Sequence, residues 1–82
     1  MTVNQRKEVV AKSLFAIGES NLAKDFLEAT GPDAFATLEG IMRSMLKNGL
    51  GWTAKRQKVI ANAIVECQCI PYHSSEPGNY AA

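Results

Sequence analysis

Apolar residues in this sequence recur at intervals of three and four, in runs closed by glycine, asparagine or proline, and they show no sustained alternation with polar ones. That period belongs to helices with one buried face, whereas a half-buried strand would need alternation. The chain is therefore expected to be all-α, with about four short helices.

The first run has Val10, Leu14 and Ile17 in phase, with Val9 and Phe15 widening the stripe. Thr2 or Asn4 can cap its start and Gly18 is a natural stop. Ser20 or Asn21 opens a second, shorter run carrying Leu22, Phe26 and Leu27, which ends at Thr30-Gly31. Pro32 and Asp33 suit the start of a third helix, where a missing N–H costs nothing and a carboxylate meets the positive end of the dipole. Phe35, Leu38, Met42 and Met45 follow in phase beside Ile41 and Leu46, and the periodicity assigns both methionines to the core. Gly40 interrupts this run at a cost of about 1 kcal/mol relative to alanine, and it offers room for another helix to approach. Asn48-Gly49 closes the run. Thr53 then caps a fourth, with Val59, Ile60, Ala63, Ile64 and Cys67 on one side, and Pro71 is expected to end it.

With 82 residues there is core enough for one domain only. The second helix is too short for a bundle of equal rods, so the expected architecture is a compact bundle with some steep crossings. Residues 1–71 form the domain, and 72–82, rich in small and polar groups, form a flexible, disordered tail. Trp52 is placed to fill the gap between the third and fourth helices, where truncation to alanine would cost about 3–5 kcal/mol.

The sequence starts with a polar, charged stretch, Met1 to Glu8, that no apolar core of a secretory signal follows, and no uncharged run is long enough to span a bilayer. Cys67 and Cys69 are too close to close a useful disulfide loop. A cytoplasmic protein with reduced thiols and no membrane association is expected.

The net charge of +1 conceals a strong asymmetry. Glu19, Asp25, Glu28, Asp33 and Glu39 stand against Lys24 alone, whereas the next stretch carries Arg43, Lys47, Lys55, Arg56 and Lys58 with no acid. Uneven charge of this kind steers encounters with charged partners. Lys47 near a helix end suits the dipole, but Lys55 and Arg56 fall in a first turn, where a cation is disfavoured by about 0.3–1 kcal/mol. A local rule broken without evident compensation points to function, and a helix start bearing cations suits a phosphate or carboxylate.

Catalytic parts are scarce. Cys67, Cys69 and His73 form a C-x-C-x3-H grouping, tighter than zinc sites use and lacking a fourth ligand unless Glu76 or a second chain supplies one. Cys67 reads better as a small core residue. The sole histidine lies in the expected tail, and no phosphate loop, dinucleotide glycine pattern or H-E-x-x-H motif occurs. The chain is read as a non-enzyme without metal or cofactor.

Two functional readings follow. The first is a small protein-binding module, a regulator or inhibitor of a larger protein, using Arg43, Lys47, Lys55, Arg56 and Lys58 or the acidic stretch. The alternative is nucleic-acid binding through region 41–60, which has a helix-turn-helix outline, although its turn is longer than the roughly three or four residues usual there. The width of the first apolar face also leaves surface for a partner or a second copy in a homodimer.

Overall fold

The computed structural model describes the backbone of residues 2–75 and the side chains of residues 2–70. Four helices follow in order, α1 (Val3–Ala16), α2 (Ser20–Glu28), α3 (Gly31–Lys47) and α4 (Ala54–Ser75), with no strand among the described residues. Residues 76–82, most of the expected tail, lie outside them.

The helix ends use the expected chemistry. Thr2 and Gln5 make a reciprocal capping box, each side chain bonded to the other's backbone N–H. At the far end of α1, Gly18 takes φ +83°, its N–H donates to the Phe15 carbonyl, and Glu19 N–H donates to the Leu14 carbonyl. This is a Schellman stop, which an L-residue with a Cβ fits poorly. Thr53 caps α4 by accepting a hydrogen bond from Arg56 N–H at 3.2 Å.

Two of the expectations fail. Helix α4 continues past Pro71 to Ser75. Proline removes the bond its own N–H would have made to the Cys67 carbonyl and its ring crowds that carbonyl, but only one further turn of helix lies beyond it. The apolar seam also runs on to Ile70, which is fully buried. Gly40, in turn, is exposed, with nothing within 4 Å of where a Cβ would sit. It therefore admits no neighbouring helix, and Gly40→Ala is expected to stabilise the fold by about 0.5–1 kcal/mol, readable as a higher urea midpoint.

Helix α1 packs on both α2 and α4, α4 packs on α3, and α2 touches α3 more lightly. Residue pairs set the directions. Arg6 near the start of α1 binds Glu66 late in α4, and the end of α1 meets the start of α4, so the two run antiparallel. The core comprises Val10, Ala11 and Leu14 of α1, Leu22, Ala23 and Phe26 of α2 with Ala29 just past it, Phe35, Leu38 and Met42 of α3, and Ile60, Ala63, Cys67 and Ile70 of α4. Phe26 and Phe35 meet edge to face at 5.5 Å, joining α2 to α3 where contact is otherwise sparse.

Lys7 shares the buried seam with Val10 and Leu14. Its ammonium donates to the Ala29 carbonyl at 2.8 Å, just past the end of α2, and lies 6.0 Å from the Phe35 ring centroid. A cation at a helix C-terminus is favoured by the dipole, so the only buried charge among the described residues also caps a helix. Trp52 is half-buried and packs against the core. A Cβ on Gly49 would lie 2.7 Å from its indole, so glycine is what lets the ring settle on the turn.

Candidate functional site

The five expected cations separate into three groups. Arg56 is turned inward. One guanidinium nitrogen donates to the Ile17 carbonyl at 2.9 Å and the other pairs with the Glu19 carboxylate, while Cζ lies over the Trp52 ring, 4.6 Å from its centroid. The unfavourable position of Arg56 at the start of α4 is thus offset elsewhere, because the same charge sits at the negative C-terminal end of α1. Glu19 stands at the N-cap of α2, where a carboxylate is favoured. One ion pair therefore matches two helix ends, and Arg56 is a clamp of the fold.

Arg43 is paired with Glu39, one turn back on α3, at 3.0 Å. It is largely exposed, so the pair adds little stability. Glu39 also accepts a hydrogen bond from Gln68 across the α3–α4 seam. Lys47, Lys55 and Lys58 are exposed and make no ion pair with any described residue. Lys55 and Lys58, three apart, share a face of α4 and line a shallow groove with Ala54, Val59 and Ala61. Lys47 ends α3 on the near side of the turn. At the tip of that turn stands Leu50, 95% exposed. Three lysines with no ion pair to a described residue thus flank, in sequence, a turn that exposes a leucine. Leu50 carried no sequence signal, since glycines on both sides mark a turn and say nothing about what it displays.

The sulfur chemistry runs away from reactivity. Cys67 is buried, and its thiol is pushed from 9.0 up to about 12, first by desolvation and then by the Glu39 and Glu66 carboxylates. Metal ligation and nucleophilic attack need the thiolate, which this environment disfavours. Native protein is expected to resist alkylation at Cys67 until denatured, while half-buried Cys69 reacts first. Because the folded state holds the Cys67 proton more tightly, its contribution to stability is complete below about pH 9 and is lost as pH rises towards about 12. Urea midpoints across that range, compared with Cys67→Ala, check the sign.

The His73 side chain lies outside the described residues, as does Glu76. Among the described residues no group of three histidine, cysteine or acidic side chains converges to hold a metal ion. No helix there is long and apolar enough to cross a membrane. Comparison of the chain with protein-family models, curated proteins and solved structures finds no match.

Proposed function

We propose that this chain is a non-enzymatic protein-binding module, a regulator or inhibitor that captures an acidic, partly apolar segment of a larger cytoplasmic protein. The contact surface is the α3–α4 corner, formed by Leu50 with Lys47, Lys55 and Lys58. The observation that carries this reading is the near-complete exposure of Leu50 in a turn whose flanking helix ends carry lysines without an ion pair among the described residues. An apolar knob has nothing to offer a phosphate backbone, but it is a natural anchor in a protein pocket, with the charges steering encounter around it. Arg56, spent on Ile17, Glu19 and Trp52, is not part of the surface. A cytoplasmic location goes with the reading, because free thiols such as Cys67 and Cys69 persist there.

A photoreactive residue at position 50, used in nuclease-treated and untreated lysate, is expected to give the same protein adduct in both. Leu50→Ser should weaken binding to that partner about tenfold or more, as loss of an interface anchor does. Reversing Lys47, Lys55 and Lys58 to glutamate should abolish it. Nucleic-acid adducts, or binding indifferent to Leu50→Ser with a steep salt dependence, would favour the alternative reading instead.

A further inference from the structure

The outer face of α1 offers a second surface, independent of the α3–α4 corner. Val9 is 51% exposed, Phe15 44% and Leu27 of α2 39%, and the three line one open groove with Gln5, Glu8 and Lys12. Ala11 forms its floor. Contiguous apolar surface rimmed by charge marks an interaction site more often than isolated exposed residues do. Among the described residues neither Glu8 nor Lys12 makes an ion pair.

These positions are symmetric. At 100° per residue, Gln5, Glu8, Val9, Ala11, Lys12 and Phe15 span one arc of α1, centred opposite the buried Val10. A two-fold axis through the middle of that arc, at the level of Val10, sets an antiparallel copy of α1 against it. Glu8 of each chain then comes level with Lys12 of the other near the middle of the contact, Gln5 comes level with Phe15, and the two Val9 side chains share one flank. Both charge pairs are attractive, and each Phe15 is level with the aliphatic part of a glutamine of the other chain, next to its own Leu27. A surface complementary to itself under a two-fold rotation is what an isologous dimer requires.

We infer that the outer face of α1 binds a second copy of this chain, as an antiparallel α1–α1 dimer held by Phe15, Val9 and Leu27 and registered by reciprocal Glu8–Lys12 pairs. One helix face per chain is a small interface, so the dimer is weak and concentration-dependent.

Sedimentation equilibrium of the purified full chain, up to about 1 mM, is expected to show a reversible monomer–dimer equilibrium. Lys12→Glu alone, or Glu8→Lys alone, sets like charges together twice and should weaken association about tenfold. Mixing these two variants should restore it as a heterodimer, and the double exchange E8K/K12E should restore the homodimer. Phe15→Ser should abolish association while far-UV circular dichroism stays unchanged. A monomer at every concentration would overturn the proposal and leave the groove to another partner. A dimer indifferent to both charge variants would overturn it equally, by placing the contact elsewhere. Neither result bears on Leu50, so this inference and the proposed function fail separately.

Discussion

Phe26→Ala is expected to remove about 3–5 kcal/mol of stability, the cost usual for emptying a buried aromatic site. The ring is fully buried and is the edge-to-face partner of Phe35, at the seam where α2 and α3 otherwise make few contacts. A domain of this size holds roughly 0.05–0.15 kcal/mol per residue, so the loss is a large share of the total. The thermal midpoint should fall by about 12–40 °C, at roughly 4–8 °C per kcal/mol for a small domain. Phe26→Leu, which keeps most of the volume, should cost less than about 1.5 kcal/mol. Urea titration by circular dichroism separates the two variants. A loss below about 1 kcal/mol for the alanine variant would show that α2 docks without Phe26, against its complete burial.

Phe26 was legible in the sequence because its burial follows from phase with Leu22, and the same holds for Leu14, Met42 and Ile60. Periodicity reports which face of a helix is wet, and caps and glycines report where the helix stops. Both are local signals. The extra width of the first apolar stripe was also legible, and it separates into buried Val10 and exposed Val9 and Phe15. Lys7 had the right phase for the core, but its residue type argued against burial, and only the distant Ala29 carbonyl makes burial tolerable. Pro71 misled in the opposite way. The local stop fails by one turn, after a helix whose buried seam reaches Ile70 immediately before the proline. The site divides along the same line. Exposure of Lys55 and Lys58 follows from their residue type and from their place off the apolar seam of α4, whereas the hydrogen-bond partners of Arg56 lie 37 and 39 positions away. The misplaced cation was a true signal of compensation, but one ion pair, rather than a ligand, supplies it.

Arg56→Ala is accordingly expected to act on stability before binding, with a loss of about 2–3 kcal/mol. It would leave Glu19 partly buried without its counter-charge, strip the Ile17 carbonyl of a donor, and uncover one face of Trp52. Removing one partner of a desolvated pair costs more than the pair contributes, because the remaining charge is stranded. Double substitution tests that reasoning. In Arg56→Ala with Glu19→Gln the stranded charge is gone, so the combined loss should fall short of the sum of the single losses by about 1 kcal/mol. Arg56→Lys should rescue little. A single ammonium cannot serve a carbonyl and a carboxylate in fork geometry while also lying over an indole. Equal stability of the lysine variant and the wild type in urea would reduce Arg56 to a plain counter-charge and return its guanidinium to the list of groups a partner could use. Loss with lysine, together with unchanged stability in the Lys55→Glu and Lys58→Glu variants, would instead divide the basic segment as the contacts do, with one cation holding α4 on α1 and its neighbours left facing outward.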